Sequence, residues 1–275
     1  MNNPILSIVI ANYNYGRFLE TAIESVVSQG VLGKVELIVV DGGSSDNSVE
    51  IIKKFADKIA WWVSEKDEGQ SDAFNKGFAH SHGKYLTWLN ADDFMPQGCL
   101  ARVVRSLESH SECEWFTANF CRILDDGSVV EIGWGPHWLP KWLQTRQQPL
   151  AVYGPSTFFS KKLFDRLGGM KVYQNFMMDT DLWMRFIVAG VKQRRINCIC
   201  WVFRMHADSK TAEFGDHKLS PDQRARFEAE RKRAISETGY KPSNVNRRLI
   251  QLWRILDGSI LKCLLLHSTF KRIEI

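Results

Sequence analysis

Short apolar runs closed by polar residues alternate along this chain with stretches whose apolar positions recur every three or four residues. Ile5–Ile10 has the length and composition of a buried strand and stops at Ala11-Asn-Tyr-Asn-Tyr-Gly16. Phe18, Ala22, Ile23, Val26 and Val27 then mark a helix. Val35–Val40 is a second strand, ended by Asp41-Gly-Gly-Ser-Ser-Asp46, and Val49, Ile51, Ile52 and Phe55 predict the helix after it. A third strand, Ile59–Ser64, leads through Glu65–Gln70 into a helix with Ala73, Phe74, Gly77 and Phe78 on one face. Tyr85, Leu86, Trp88 and Leu89 mark a fourth strand, which runs into Asn90, Asp92 and Asp93. Strands alternating with helices predict an α/β fold with a mostly parallel central sheet flanked by helices.

In such sheets ligands bind beyond the carboxyl ends of the strands. Here those ends carry Asn12 and Asn14, then Asp41, Asp67, and Asp92 with Asp93, which predicts one shared polar site. Adjacent carboxylates suit a hard divalent cation with oxygen ligands. They equally suit an Asx-turn that caps the helix beginning near Gln97, and both readings stand at this point. The turn after the first strand is not Gly-x-Gly-x-x-Gly, and no Walker A sequence occurs, which argues against dinucleotide and P-loop chemistry.

The second half is less regular. Trp115–Phe120 and Ser128–Ile132 predict a hairpin across Asp125-Asp-Gly127, and Val152–Phe159 and Ile196–Phe203 predict further strands. Gly133–Pro149, with Trp134, Trp138 and Trp142, reads either as an acceptor-side loop or as a plug over the core. Leu182, Trp183, Phe186, Ile187 and Ala189 form an apolar helical face with Asp179 and Asp181 at its start. Those carboxylates are either helix caps or a general base at the mouth of the sheet. His206 follows the last strand in Arg204-Met-His-Ala-Asp-Ser-Lys-Thr211, the setting of a metal ligand or a phosphate contact.

The chain has 275 residues and a net charge of +5, but from Lys218 onward 13 basic residues face 6 acidic ones. A near-neutral body with a basic tail is not the footprint of a nucleic-acid binder. In Leu249–Leu266, aliphatic residues recur at helical spacing among Arg247, Arg248, Arg254 and Lys262. That pattern predicts either a helix lying on an anionic membrane surface or one packed on the body or on a second copy. The six cysteines show no metal-binding or Cys-x-x-Cys spacing, the N-terminus lacks the features of a signal peptide, and no apolar run is long enough to span a bilayer. Together these predict a cytoplasmic protein, held at the inner face of the membrane on the first of the two readings of its tail.

Ser7-Ile-Val-Ile-Ala-Asn-Tyr-Asn14, Val39-Val-Asp-Gly-Gly-Ser-Ser-Asp-Asn-Ser48, Glu68-Gly-Gln-Ser-Asp-Ala-Phe-Asn-Lys-Gly77, Leu89-Asn-Ala-Asp-Asp93 and Met178-Asp-Thr-Asp-Leu-Trp183 resemble, in that order, the motifs of family 2 glycosyltransferases. The resemblance implies an inverting enzyme of GT-A fold that uses a nucleotide-diphosphate sugar and a divalent cation, Mn²⁺ or Mg²⁺. It places Asn12, Tyr13, Asn14, Asp41, Asp67, Asn75, Asn90 and Asp92 at the nucleotide sugar. Asp92, Asp93 and His206 become metal ligands, and Asp179 the catalytic base, with Asp181 as the second candidate. Asn90 stands where the family's first motif aspartate is expected, and Met178 where a Glu usually precedes the base. The Gln-x-x-Arg-Trp sequence of processive members is absent, implying transfer of one sugar per binding event. The implied division is a GT-A domain over residues 1–211, with a nucleotide-sugar half (1–95) and an acceptor half (96–211), and a basic helical extension over 212–275. The implied reaction passes one sugar to a saccharide or lipid-linked acceptor in surface glycan synthesis. A non-catalytic sugar-binding or nucleotide-sugar-binding subunit on the same fold is the alternative.

Overall fold

The computed structural model describes residues 3–134, 152, 154–207, 220–241, 249, 252–256, 258, 260–262, 264 and 265. The strands are β1 (Leu6–Asn12), β2 (Val35–Asp41), β3 (Trp61–Ser64), β4 (Tyr85–Asn90), β5 (Trp115–Leu124), β6 (Val129–Gly133), β7 (Thr157–Ser160) and β8 (Gln193–Met205). The helices are α1 (Gly16–Val27), α2 (Ser48–Lys54), α3 (Gln70–Ala79), α4 (Cys99–Ser109), α5 (Lys161–Arg166), α6 (Met178–Val188) and α7 (Pro221–Thr238). The strands form one sheet in the order β3-β2-β1-β4-β7-β5-β6, with β8 paired to the other side of β5. β1 to β4 are mutually parallel, whereas β7 is antiparallel to both β4 and β5.

Alternation along β1 sorts the two helical layers. Ile8 and Ile10 pack with Leu19 and Ile23 of α1 and Val103 of α4, while Val9 faces Phe74 and Phe78 of α3. α3 can approach this closely because Gly77 has no side chain; a Cβ there would lie 2.3 Å from Val9 Cγ1. Beyond β4 the core is aromatic, with Trp183 of α6 stacked between Trp88 (5.6 Å) and Trp115 (6.1 Å). Register then aligns the polar strand ends. Asn12 lies opposite Asp41, Asp41 opposite Ser64, and Ala11 opposite Asn90.

The predicted hairpin forms as β5 and β6, with a register shift between Arg122 and Ile123. The strand predicted at Val152–Phe159 is shorter than expected, because a 3-10 turn occupies Gly154–Ser156 before β7 begins. Most of the Gly133–Pro149 stretch, Trp138 and Trp142 included, lies outside the described residues. Within the stretch 212–275, implied as a basic helical extension, lies α7, opened by a Ser220 capping box with Pro221 in its first turn. It lies against α6, where Glu230 Oε2 accepts from the N–H groups of Asn175 (3.0 Å), Phe176 (2.7 Å) and Met177 (3.2 Å) just before α6 begins.

Candidate active site

A cleft of about 830 Å³ opens at the carboxyl ends of β1 and β4 and is closed on its far side by β5, β8 and the start of α6. Its walls bring together Asn12, Tyr13, Asp67, Asn90, Asp92 and Asp179, six of the residues singled out in the sequence.

Its floor is a network in which polar groups hold one another. Asp41 is fully buried and accepts from Asn12 Nδ2 (2.7 Å), Ser44 N–H (2.9 Å), Ser44 Oγ (2.5 Å) and Ser64 Oγ (2.6 Å). Burial alone would push its carboxyl up, but the donors from Ser44, Ser64 and Asn12 outweigh it and hold Asp41 below the usual carboxylate range. Asn14, at φ 57° the one non-glycine residue with positive φ among those described, accepts from Ser45 N–H (2.8 Å). Asp41 and Asn14 are therefore not on the cleft wall; they fix the two turns from which Asn12 and Tyr13 project. Asp67 accepts from Gly69 N–H (2.8 Å), and the bare Cα of Gly42 lets its carboxylate lie close, since a Cβ there would be 2.6 Å from Asp67 Oδ2.

At the end of β4 two adjacent aspartates diverge. Asp92 faces the cleft, whereas Asp93 is buried. Asp93 Oδ2 accepts from Asn90 Nδ2 (2.8 Å) and Trp201 Nε1 (2.8 Å), and its Oδ1 from Arg204 N–H (3.0 Å). Burial, and after it the neighbouring charge of Asp92, push the Asp93 carboxyl well above its ordinary value despite these donors. Both oxygens are committed inward, so Asp93 anchors the end of β4 and does not face the cleft, where the resemblance expects a metal ligand. Asn90 completes the arrangement by accepting from Gln70 Nε2 (3.1 Å).

His206 is buried between Tyr15 and Phe18, with ring centroids at 5.8 and 4.6 Å. Its Nδ1 lies 3.3 Å from Arg17 Nη2, and its Nε2 3.2 Å from Asp92 Oδ2. A guanidinium only donates, so Nδ1 is the acceptor and Nε2 carries the proton toward Asp92. His206 thus stands behind Asp92. Among the described residues no group of three His, Cys, Asp or Glu is placed to hold a metal. One exposed carboxylate backed by an imidazole is nevertheless compatible with an ion such as Mg²⁺, which is commonly held by one or two carboxylates and completed by substrate phosphates and water.

Asp179 opens α6, where the helix dipole favours a negative charge, and its Oδ1 accepts from Thr180 N–H (2.6 Å). Asp181 lies about 200° further round the helix and points away. It is buried, not on the cleft wall, and paired with Arg185 through Nη2 (2.7 Å) and Nε (2.9 Å). Burial raises its carboxyl although Arg185 opposes the shift. Asp181 is therefore not a base within reach of the cleft. Asn75 is likewise off the wall; its Nδ2 donates to Met170 O (2.9 Å) and its Oδ1 accepts from Met170 N–H (3.0 Å).

Sequence reasoning missed Gln70, which lies in a quoted motif, as well as Trp201, Glu230 and the serines around Asp41. The serines carry a signal in their positions at strand ends and turns. Trp201 and Glu230 carry none, because their partners are more than 50 residues distant.

The chain resembles known proteins over most of its length. It is 28% identical over 231 residues to an uncharacterized glycosyltransferase of Mycobacterium tuberculosis, covering 82% of this chain and 86% of that one. It is 24% identical over 211 residues, 76% of this chain and 80% of the relative, to Escherichia coli WfaP, a UDP-Glc:alpha-D-GlcNAc-diphosphoundecaprenol beta-1,3-glucosyltransferase. A match of 38% identity to a glycosyltransferase of Nostoc covers 38% of this chain and a third of the relative. Among solved structures, Staphylococcus aureus TarS (residues 1–349) with UDP superposes with a TM-score of 0.63 at 12% identity, covering 92% of this chain and 88% of that one. A mannosyltransferase of Pyrobaculum calidifontis with GDP-Man and Mn²⁺ gives 0.56 at 15%, covering 98% and 88%. These likenesses identify the fold as GT-A. The family model for Glycosyl transferase family 2 matches residues 7–168, and the chain belongs to that family.

Proposed function

We propose that this glycosyltransferase moves a single hexosyl unit, with inversion, from a nucleotide-diphosphate donor to a hydroxyl of a saccharide or lipid-linked acceptor during glycan assembly. The observation that carries this reading is the meeting of Asp92 and Asp179 in one cleft that Asn12, Tyr13 and Asp67 also line. The named activity of the Escherichia coli relative supports a lipid-linked acceptor, and the nucleotides bound to the TarS and mannosyltransferase structures support the donor class.

Tyr13 and Asp67 would meet the nucleoside, and Asp92, backed by His206, would face the diphosphate. A divalent cation held by Asp92 would supply neutralisation of the leaving diphosphate's charge. Asp179 takes the proton from the acceptor hydroxyl as that oxygen attacks the anomeric carbon from the face opposite the departing diphosphate. General-base help of this kind contributes about 10²–10⁴-fold. The bond to the diphosphate oxygen breaks with its electron pair, and the proton rests on Asp179 until water removes it.

The test is nucleoside-diphosphate release from a panel of nucleotide sugars with Mn²⁺ or Mg²⁺, for the native chain and for Asp179→Asn. Turnover should disappear in the variant while the donor still raises its melting temperature. An Asp179→Asn rate equal to that of the native chain removes the base assignment. Donor binding without turnover by the native chain would favour the non-catalytic alternative.

The same reading puts the enzyme at the cytoplasmic face of a membrane. Among the described residues no helix is long and apolar enough to cross one. Leu252, Ile255 and Leu256, and then Leu261, Leu264 and Leu265, are exposed at helical spacing beside Arg254 and Lys262, a pattern suited to an anionic bilayer surface. Sedimentation with anionic but not neutral vesicles is the expected result; equal recovery in both supernatants would remove this part of the proposal.

A further inference from the structure

Beside Asp179, one face of three strands forms a wall that the donor-side reading leaves without a task. Because alternate residues of a strand share a face, Phe120 and Arg122 on β5 point the same way as Trp201 and Phe203 on β8. Register sets them in two rows across β6, β5 and β8: Gly133–Phe120–Trp201 and Glu131–Arg122–Phe203. Every side chain in these rows lines the cleft. The rings are close, Trp201 lying 5.5 Å from Phe120 and 5.4 Å from Phe203. Gly133 makes room for them, since a Cβ there would lie 1.8 Å from Phe120 Cε1. At one end of the wall Arg122 Nη1 pairs with Glu131 Oε2 at 2.8 Å, leaving further donor and acceptor capacity at the rim.

Two contacts fix the wall relative to the chemistry. The indole N–H of Trp201 donates to Asp93, so the ring is held by the same buried carboxylate that orders the end of β4. Gly154 lies between this ring and Asp179. A Cβ added there would be 3.8 Å from Asp179 Oδ2 and 3.8 Å from Trp201 Cη2. Bare backbone thus separates an aromatic surface from the proposed base.

We propose that this wall is the acceptor subsite: a pyranose ring of the acceptor rests on Trp201, its hydroxyls meet Arg122 and Glu131, and the attacking hydroxyl lies over Gly154 toward Asp179. This rests on reading the cleft as a site of glycosyl transfer. The chemistry fits, because the axial C–H groups of a pyranose are weakly positive and the face of an indole is negative. Arg122 and Glu131 supply a donor and an acceptor of the kind that fixes the orientation of a polar ring. Trp201 is a binding residue here. Asp93 acts through it as a positioning residue.

The test compares the native chain with Trp201→Leu, Trp201→Phe and Gly154→Ala, using a panel of p-nitrophenyl pyranosides as acceptor probes. Trp201→Leu should raise the acceptor KM about tenfold, the loss of one stacking contact. The rise in acceptor KM should exceed any change in donor KM, and Trp201→Phe, which keeps an aromatic face, should recover part of the acceptor affinity. Gly154→Ala meets nothing closer than 3.8 Å, so its melting temperature should match that of the native chain while its acceptor kcat/KM falls. An unchanged acceptor KM in Trp201→Leu overturns the proposal, and so does a change confined to donor KM, which would give the wall to the donor. Saturation-transfer NMR of the same pyranosides decides the subsite independently of turnover. If the native chain consumes no nucleotide sugar, the transferase reading falls, while loss of pyranoside binding in Trp201→Leu would still uphold the subsite.

Discussion

Glu230 lies off the cleft wall, yet its removal should reach the chemistry. Three consecutive N–H groups, those of Asn175, Phe176 and Met177, converge on its Oε2 immediately before α6, whose second residue is Asp179. α6 has no side-chain cap of its own, and Glu230 serves in that place from 53 to 55 residues along the chain. A hydrogen bond to a charged group is worth about 1.5–3 kcal/mol, and a carboxylate at a helix N-terminus adds about 0.3–1 kcal/mol. Three donors sharing one oxygen are far from additive, and Glu230 is half-buried. Glu230→Ala should therefore cost about 2–3 kcal/mol in all. At roughly 2–4 °C per kcal/mol for a chain of this size, the melting temperature should fall by about 4–12 °C.

The kinetic effect should exceed that expected from stability alone. With the segment before α6 released, the Asp179 carboxylate loses its fixed height in the cleft, and a displacement of about 1 Å costs on the order of 10²-fold in kcat. Asn12 ends β1, and Tyr13 and Asp67 lie in the turns after β1 and β3, which Glu230 does not brace, so donor KM should barely move. Glu230→Gln keeps an acceptor oxygen and should recover most of kcat but less of the stability. The assays are thermal melting by circular dichroism and steady-state kinetics well below the melting temperature. A Glu230→Ala variant that melts lower yet keeps kcat within twofold of the native chain would refute the link from α7 to Asp179.

Three further outcomes test the site's framework. Because the folded-state pKa of Asp41 lies below its unfolded value of 3.8, its stabilising contribution should be complete above about pH 4 and lost as pH falls through the lower folded value; Asp41→Asn should flatten the melting temperature over that acid range. Asn90→Asp restores the family's expected residue but sets a carboxylate against Asp93 where an amide now donates at 2.8 Å. It should destabilise by about 2–4 kcal/mol at pH 8, and by less at pH 5 as one carboxyl takes up a proton, read by denaturant melts at both values. Gly77→Ala should destabilise by about 1–2 kcal/mol through its 2.3 Å approach to Val9, and Val9→Ala in the same chain should remove part of that penalty in a double-mutant cycle.

The parallel half of the sheet was legible because a strand buried on both faces has no reason to end in amides and carboxylates unless those ends share a task. Asn12, Asp67 and Asp92 emerge from that break in pattern, and the register of β1, β2 and β4 does the rest. Asp93, Asp181 and Asn75, expected at the site, lie off the cleft wall for a common reason. Each shares a motif with a cleft residue, but motif membership does not fix direction. Asp92 and Asp93 leave the backbone one residue apart and diverge, one to the cleft and one to Trp201 and Arg204. Asp179 and Asp181 are separated by half a helical turn, which sends the second to Arg185.

The divergence at 92 and 93 also accounts for Asn90. In a motif with an aspartate at that position, a second carboxylate would stand within hydrogen-bonding distance of Asp93, which is already buried beside the charge of Asp92. An amide removes that repulsion and donates instead, while its oxygen accepts from Gln70 at the start of α3. The substitution therefore need not mark a decayed site. It fits a site in which Asp93 has been drawn inward to hold Trp201, with Asp92 left as the carboxylate of that loop on the cleft wall. On this account Asn90 and Trp201 form one unit through Asp93. Replacing both should cost less than the sum of the single changes, whereas independent effects would show that the two walls of the cleft are built separately.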